Sequence, residues 1–488
     1  MELNKYKLGE CLELQRGYDL TSSQMQGGKV AVVGSNGIIG YHNSERGNSP
    51  CITVGRSGSV GKVHYYEQPT WAHNTALFLK DFKGNNPKYL YYLLKNLHLD
   101  NIFEKGSSVI PSLDRNLVHS LVVPFHKDIN DQRKVVTVLS AIDRKIELNR
   151  QINDNLEAMA KQLYDYWFVQ FDFPNEEGKP YKSSGGAMVW NERLKREIPI
   201  GWTCCSIKEM CDINKKTINK DEHKQIEYLD TGSITQGHIS NTEIYNVDMA
   251  PSRAQRKVED LSILYSSVRP RLLHYGILSK PKENFIVSTG FVTLDAKCKK
   301  MALMVYYFLT SNTITEHLAS IADTAVSSYP SISPDDIAYL DIVIPSNDII
   351  QKYNDIVEPM FRKMSTLRKE IDSLTKQRDE LLPLLMNGQA SVNYHLSAET
   401  SISFDMFSMP LNFTNHDPLF MANSIDYQYS ALPLHSKENT HGIIQDDKRH
   451  IQQRQRQGDK HARERFLAFF YKCISTIHQA AFGNAWCY

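Results

Sequence analysis

The stretch DQRKVVTVLSAIDRKIELNRQINDNLEAMAKQLYDYWFVQF, residues 131–171, decides the fold of this chain. It contains no proline or glycine and repeats apolar residues at helical spacing, so it predicts one long helix, which we place at 129–171. Such a helix spans roughly 60 Å and has no core of its own, so it needs a partner. Its predicted seam consists of Val135, Leu139, Ile142, Ile146, Leu156 and Leu163.

A second long helix is predicted at 347–389, where apolar residues alternate at spacings of three and four. Its predicted seam consists of Val357, Met360, Met364, Leu367, Ile371, Leu374 and Leu381, with Arg378 as an interruption. Pro359 should bend this helix near its start. The two complementary seams predict an intramolecular antiparallel coiled coil. The alternative interpretation is two unrelated helices, each packed on its own domain.

The regions before the two helices share a pattern of short strands, tight turns and helices. We name residues 1–128 the first repeat and residues 203–346 the second repeat. Four pairs of segments match in the same order: TALFL at 75–79 with GFVTL at 290–294, LYYLL at 90–94 with VYYFL at 305–309, PSL at 111–113 with PSI at 330–332, and LVVP at 121–124 with IVIP at 342–345. The sequence therefore predicts a mixed α+β fold with two similar domains, separated by two long helices and related by a pseudo-two-fold. Residues 172–202 form a connecting segment.

Composition restricts where the chain acts. A hydrophobic content of 41% supports folded domains, and a net charge of +1 requires any DNA-binding surface to be a local patch. The longest apolar run, MALMVYYFL at 301–309, is too short to span a membrane, and MELNKYKLGE does not resemble a signal peptide. We expect a soluble, cytoplasmic protein without a membrane partner. The eight cysteines include no C-x-x-C pair, so we expect reduced thiols and no metal site.

The region 390–488 differs in character, because it lacks a sustained apolar period and carries the basic run KRHIQQRQRQGDKHARER. The favoured interpretation is a disordered tail with one short amphipathic helix. The alternative is a nonspecific DNA-binding arm, since its cationic side chains could neutralise phosphates.

The central sequence from LSAIDRKIELNRQINDN to EIPIGW, within residues 139–202, closely resembles the specificity subunits of type I restriction-modification systems. The resemblance covers residues 1 to about 390. It implies a non-catalytic reader of double-stranded DNA, with two target-recognition domains spaced by an antiparallel coiled coil. It also implies assembly with two methyltransferase subunits and with restriction subunits. S-adenosylmethionine, ATP and Mg²⁺ would then be bound by those partners, and this chain would bind no cofactor. Asp143, Lys145 and Glu147 beside the seam are candidate contacts for the methyltransferase.

Three segments resemble catalytic motifs imperfectly. Asn86-Pro87-Lys88-Tyr89 lacks the second proline of the amino-methyltransferase element and should instead open a helix. In GRSGSVGK, at 55–62, the glycines are one residue too far apart for a phosphate loop, and no Ser or Thr follows the lysine. Glu177-Gly178-Lys179 has no clustered carboxylates with which to complete a nuclease site. None of these segments predicts catalysis.

DNA reading requires side chains that hydrogen-bond to base edges or hold phosphates. In the first repeat the candidates are Ser35, Asn36, Arg56, Ser57, Lys62, Ser107 and Ser108, which cluster in glycine-bearing loops. In the second repeat they are Lys215, Lys216, Arg253, Arg256, Lys257, Arg269, Arg271, Ser327 and Ser328. Tyr41 and Tyr329 could stack on bases or pack internally. For any single residue, a solvated surface charge or turn residue is the competing interpretation.

Two other functions remain open at this point. A coiled-coil scaffold that binds proteins and no DNA would explain the helices but not the paired glycine-rich domains. A self-sufficient methyltransferase or nuclease would need cofactor-binding or metal-binding residues that the sequence does not display.

Overall fold

The computed structural model describes residues 2–103, 112–219, 222–324 and 330–392. Ser107, Ser108, Ser327, Ser328 and Tyr329 lie outside the described residues, as does the predicted tail from 393 onward.

The first repeat is built of short strands and four short helices in its described part. The strands are β1 (Asn4–Lys7), β2 (Glu13–Arg16), β3 (Val30–Gly34), β4 (Gly37–His42), β5 (Cys51–Gly55), β6 (Val63–Tyr66), β7 (Thr70–Ala72), β8 (Ala76–Asp81) and β9 (Val122–Phe125). The helices are α1 (Leu8–Cys11), α2 (Pro87–Asn96), α3 (Leu99–Phe103) and α4 (Arg115–Ser120). The strands form sheets of order β2-β8-β5-β6, β4-β3-β7 and β1-β9.

The first long helix, α5 (Ile129–Tyr164), begins after the N-cap residue Asp128, whose side chain accepts a hydrogen bond from the Asn130 amide. It continues into a π-helical turn at Asp165–Val169. The connecting segment then forms an antiparallel hairpin of β10 (Met188–Asn191) and β11 (Arg196–Pro199).

The second repeat contains a corresponding set of elements. Its strands are β12 (Thr203–Ser206), β13 (Cys211–Ile213), β14 (Gln225–Leu229), β15 (Ile234–Thr235), β16 (His238–Ile239), β17 (Glu243–Asn246), β18 (Ala254–Lys257), β19 (Ile263–Ser266), β20 (Tyr275–Ile277), β21 (Phe285–Ser288), β22 (Phe291–Ala296) and β23 (Asp341–Ile344). Its helices are α6 (Ile207–Met210), α7 (Ala302–Leu309), α8 (Asn312–Thr324) and α9 (Pro334–Ala338), and the second long helix is α10 (Asn347–Met386). Short 3-10 turns lie at Ser22–Gln24, Val247–Met249, Pro270–Leu272 and Lys299–Met301.

Two sheets have the same strand order in both repeats, and the third is larger in the second repeat, where its order is β17-β14-β21-β18. The order β13-β22-β19-β20 reproduces β2-β8-β5-β6, and β12-β23 reproduces β1-β9. In the first repeat, β3 pairs antiparallel with β4 and parallel with β7. In the second repeat, β14 likewise pairs antiparallel with β17 and parallel with β21. The predicted mixed fold with two similar domains and two long helices is confirmed.

One predicted segment match has the wrong register. The Leu8 amide donates to the Leu121 carbonyl at 2.8 Å, and the Ile207 amide donates to the Leu340 carbonyl at 3.0 Å. Leu121 therefore corresponds to Leu340, not to Ile342 as the sequence match suggested. A shift of two residues leaves each side chain on the same face of its strand, so the apolar pattern alone could not detect it.

The long helices pair in antiparallel orientation. Near the end of α5 the Phe168 ring packs on Tyr353, close to the start of α10, with centroids 4.8 Å apart. Near the start of α5, Asp143 pairs with Arg378 at 3.1 Å, far along α10. Between these contacts, Arg368 lies 3.6 Å from Glu157. No helix within the described ranges has an apolar stretch of membrane-spanning length.

The predicted seam residues differ in burial. Those buried are Val135, Leu139, Ile146, Leu156, Leu163, Val357, Met364 and Leu367. Those half-buried are Ile142, Met360, Ile371, Leu374 and Leu381. Phe361 and Leu382, each one residue beyond a predicted position, are buried instead, and Leu382 belongs to the core of the first repeat. Residues of the long helices are therefore buried both where the two helices contact each other and where the domains cover them. The helix continues through Pro359 and Pro383.

The core of the first repeat continues into the helix pair. Tyr89 and Leu93 of α2 share one apolar cluster with Leu139 of α5 and Leu385 of α10. The start of α2 is fixed by Asn86, whose side chain accepts hydrogen bonds from the amides of Lys88 and Tyr89 at 2.9 and 3.2 Å. The Asn-Pro-Lys-Tyr segment thus opens a helix.

Candidate nucleic-acid interface

One end of the first repeat brings five of the predicted residues together. The strands β5 and β6 are joined by residues 56–62, which we name the first loop. Lys62 in this loop donates from Nζ to Oδ1 of Asn36, in the turn between β3 and β4, at 2.7 Å. Ser35 lies beside Asn36, and the Ser35 hydroxyl faces Gly58. Arg56, Ser57, Lys62, Ser35 and Asn36 therefore form one surface.

Backbone hydrogen bonds hold the first loop on both sides. The Gly55 amide donates to the Lys62 carbonyl at 2.8 Å, which closes the loop. The amides of Arg56 and Ser57 donate to the Thr75 carbonyl at 2.9 and 3.1 Å. The Leu113 amide donates to the Arg56 carbonyl at 2.8 Å. The backbone is thus fixed while side chains remain available for a ligand.

Among the described residues, no carboxylate pairs with the positively charged side chains of this surface. Arg56 is half-buried and has no side-chain partner among the described residues, while Lys62 is exposed and bonds only to the neutral Asn36 amide in the same ranges. Tyr41 on β4 is 51% exposed, so it is available to stack on a ligand.

The second repeat has an equivalent loop between β19 and β20, at residues 267–274, which we name the second loop. The Ser266 amide donates to the His274 carbonyl at 2.8 Å, as Gly55 does to Lys62. The Ser267 amide donates to the Gly290 carbonyl, and the Ile332 amide donates to the Ser267 carbonyl. These bonds match Ser267 with Arg56, and they place the predicted residues Arg269 and Arg271 in the second loop.

Arg271 is already engaged with carboxylates of the same repeat. Its guanidinium lies 2.6 Å from Glu316 and 3.3 Å from Asp323, both on α8. The hydrogen bonds to these carboxylates raise the pKa of Arg271. Arg253 is exposed, and its carbonyl accepts from the Thr289 amide at 2.8 Å, next to Gly290. Arg253 therefore lies at the same end of the second repeat as the second loop.

The other predicted residues in the described part of the second repeat lie away from that loop. Lys257 and Lys216 are joined by a backbone hydrogen bond of 3.1 Å, and the Arg256 guanidinium donates to the Asn214 carbonyl at 3.0 Å. Lys216 contacts Glu259 and lies 3.8 Å from Asp295, near the end of β22 farther from the second loop. The structure thus separates the second-repeat candidates into two groups.

The lysines in that separate group are ion-paired. Lys215 lies 3.0 Å from Asp212, and Lys257 lies 2.6 Å from Glu222. The hydrogen bonds from Lys216 and Lys299 lower the pKa of Glu259. A phosphate at this place would have to compete with carboxylates that are already bound.

Sequence analysis missed Thr75, which organises the first loop. Its carbonyl accepts from two loop amides, and its hydroxyl accepts from the Ser35 amide at 3.3 Å. A signal was available, because Thr75 begins the segment TALFL that matches GFVTL of the second repeat, and Gly290 there has the equivalent carbonyl contact.

The three charged residues beside the seam are engaged within the chain. Asp143 pairs with Arg378. Lys145 lies 3.5 Å from Glu370, and Glu147 accepts from Gln151 at 3.0 Å. In contrast, the hairpin of the connecting segment exposes apolar side chains at Val189 and Trp190.

Comparison with known proteins identifies the family. The family described as the type I restriction modification DNA specificity domain matches residues 2–158 and 199–376, which together make up more than half of the chain. The chain belongs to this family. Each matched region includes one repeat and most of the long helix that follows it, in agreement with the similarity of the two repeats.

Individual type I specificity subunits support the assignment. The specificity subunit of the type I restriction enzyme MjaIX from Methanocaldococcus jannaschii is 27% identical over 317 residues, covering 62% of this chain and 69% of that protein. The HindI specificity subunit from Haemophilus influenzae is 25% identical over 36% of this chain and 38% of its own length. A crystal structure of a type I S subunit from M. genitalium has a similar fold, with a TM-score of 0.54 and 18% identity over 79% of this chain and 96% of that chain.

Proposed function

We propose that this specificity subunit recognises an asymmetric, bipartite DNA target through its two repeats. The observation that carries the proposal is the pair of equivalent loops, 56–62 and 267–274, held by the same backbone hydrogen bonds but bearing different side chains. Two modules with different side chains should read two different half-sites. The sequence between the half-sites would not be read.

The paired long helices would set the distance between the two half-sites. Modules that enter successive major grooves on one face of DNA lie roughly 34 Å apart, or a multiple of that distance. The antiparallel helices, with contacts from Asp143–Arg378 to Phe168–Tyr353, supply a rigid connection between the repeats.

The proposal also assigns partners and cofactors. The subunit would recruit two methyltransferase subunits and, through them, restriction subunits in the cytoplasm. The exposed apolar side chains Val189, Trp190 and Ile200 give the connecting segment a surface that fits such recruitment. The chain itself would be non-catalytic and bind no cofactor, while S-adenosylmethionine, ATP and Mg²⁺ would bind to the partners.

Methylation mapping tests this proposal. The chain is expressed with its cognate methyltransferase subunit, and methylated sites are compared with those in cells that express the methyltransferase alone. One split, asymmetric motif that depends on this chain is expected. If no motif appears, a variant truncated after Gln389 shows whether the remaining residues block assembly. Absence of a motif with both forms would contradict the proposal.

The competing function is a protein-binding scaffold. DNA affinity measured at several salt concentrations distinguishes the two, because phosphate neutralisation releases counterions and makes the affinity salt-dependent. A scaffold would show no such dependence.

A further inference from the structure

A polar triad joins the first repeat to both long helices. Asp143 of α5 accepts a hydrogen bond from the Tyr92 hydroxyl of α2 at 2.6 Å and pairs with Arg378 of α10 at 3.1 Å. Tyr92 is fully buried, and the side chains of Arg378 and Asp143 are 14% and 25% exposed. Arg378 also contacts the neighbouring Asp379 at 2.8 Å. Three helices thus meet at one set of directional contacts.

Among its described residues, the second repeat has no equivalent hydrogen-bonded triad, although the pair Glu157–Arg368, 3.6 Å apart, lies near Tyr307. Alignment of α5 and α10 at their N-cap residues, Asp128 and Ser346, matches Asp143 with Phe361 and Ala160 with Arg378. The segments LYYLL and VYYFL match Tyr92 with Tyr307. Apolar Phe361 and Ala160 therefore stand where the first repeat has an ion pair, so the fold itself does not require the triad.

Stability gives a weak reason for such a partly buried ion pair. The cost of removing both charges from water offsets much of their attraction, and apolar residues of similar volume often stabilise as well or better. Hydrogen-bonded charges do fix geometry, because each bond requires a particular distance and angle. The triad should therefore specify the position of α2 on the helix pair more than it stabilises the protein.

The helix α2 leads from the triad to the first loop. Leu99, at the start of α3, shares an apolar cluster with Tyr92 and with Val60 of the loop. Gly61 lies so close to the Asp100 backbone that an added Cβ would overlap it. A displacement of α2 relative to the long helices would therefore be transmitted to the first loop.

We propose that Tyr92, Asp143 and Arg378 are positioning residues that hold the first loop at one place relative to the helix pair. They would thereby make the subunit selective for one spacer length between its half-sites. This inference rests on the proposed function, since it concerns the geometry of two-site DNA reading.

The test compares Tyr92→Phe with the matched variant Tyr307→Phe. The first removes the hydroxyl that bonds to Asp143. The second removes a hydroxyl that lies near the Glu157–Arg368 pair of the long helices but makes no hydrogen bond among the described residues. Each is expressed with the cognate methyltransferase, and genomic methylation is counted at half-site pairs with the preferred spacer and with spacers one base pair shorter or longer. We expect Tyr92→Phe to reduce the preference for the correct spacer by about five- to tenfold, with unchanged half-sites, because a hydrogen bond to a charged group is lost. Tyr307→Phe should retain the preference.

Three results would overturn the inference or its basis, and they are distinguishable. Equal spacer preference in Tyr92→Phe and Tyr307→Phe would show that the triad does not position the loop. A uniform loss of methylation at all spacers, together with a lower melting temperature, would show that Tyr92 is merely structural. A wild-type chain without any split motif would overturn the proposed function itself, and the inference with it.

Discussion

The first and second loops occupy equivalent positions but differ in charge and backbone chemistry. In the first loop two glycines, Gly58 and Gly61, take the left-handed backbone conformation, with φ of 83° and 78°. In the second loop Arg269 and Leu273 do so, with φ of 47° and 57°. Arg56 of the first loop has no side-chain partner in the described ranges, whereas Arg271 of the second is held by two carboxylates.

This difference shows that the side chains of the two loops can vary while the sheets that hold the loops stay similar. Two sheets have the same strand order in both repeats, and three of the backbone hydrogen bonds that anchor the loops are equivalent. The side chains at the tips are not. Under the proposed function, a fold that fixes the loop ends while the tips vary could change the half-site that is read without changing how the two repeats are connected.

The largest effect should come from breaking the helix pair that both repeats share. Leu139 of α5 is fully buried in the core that the first repeat shares with the helix pair, so Leu139→Ala should cost about 2–5 kcal/mol of unfolding free energy. Leu374→Ala, at a half-buried seam position, should cost less. Urea denaturation followed by circular dichroism measures both. Because the helices connect the repeats, one cooperative transition is expected, and two separate transitions would show that the repeats fold independently.

The next effect concerns the backbone of the first loop. Gly61→Ala should cost about 2–4 kcal/mol, because the left-handed conformation disfavours a side chain and the added Cβ would overlap Asp100. Gly58→Ala provides the control, since it has a similar φ but, among the described residues, its added Cβ would meet only the Ser35 hydroxyl, at 3.6 Å. It should cost about 1–2 kcal/mol. Equal melting temperatures for the two variants would mean that the loop does not pack on α3 in solution.

A smaller effect should distinguish the charges of the two loops. Under the proposed function, Arg56→Ala should weaken DNA binding by about three- to tenfold and reduce the salt slope by about one. Arg271→Ala should have less effect, because Arg271 already pairs with Glu316 and Asp323. Fluorescence anisotropy with duplex DNA over a range of salt concentrations measures both. A larger loss for Arg271→Ala would reverse this assignment of the two loops.

Much of the fold could be predicted from sequence because its signals are long. The two helices repeat apolar residues over many turns, and segments such as TALFL and GFVTL recur in order. The register of the last pair, at Leu121 and Leu340, could not be read, because strand patterning repeats every two residues. Burial at Phe361 and Leu382 departed from the predicted seam because the domains also cover the helices.

The candidate site was less predictable because its chemistry depends on distant residues. The glycine-bearing loops marked Asn36 and Lys62 as separate candidates, and the structure adds that the Lys62 Nζ donates to the Asn36 Oδ1 at 2.7 Å. Nothing near Arg271 in sequence indicates that it pairs with Glu316 and Asp323, since both arrive on a later helix. The positions of charged residues along the sequence also gave no reason to pair Asp143 with Arg378, which lies on the other long helix.

The smallest expected effect tests whether the paired lysines of the second repeat behave as the structure indicates. Hydrogen bonds from Lys216 and Lys299 lower the pKa of Glu259 below its usual value of 4.5. A carboxyl with a lowered pKa stabilises the folded state fully above its unfolded pKa and loses that contribution as pH falls through the lowered value. The Glu259 side chain is 39% exposed, so solvent screening should limit the contribution to below about 1 kcal/mol. The melting temperature of Glu259→Gln should therefore lie slightly below that of the wild type at pH 7, and the difference should shrink below about pH 4. A difference that stays constant down to pH 3 would mean that Glu259 contributes through packing and not through its ion pairs with Lys216 and Lys299.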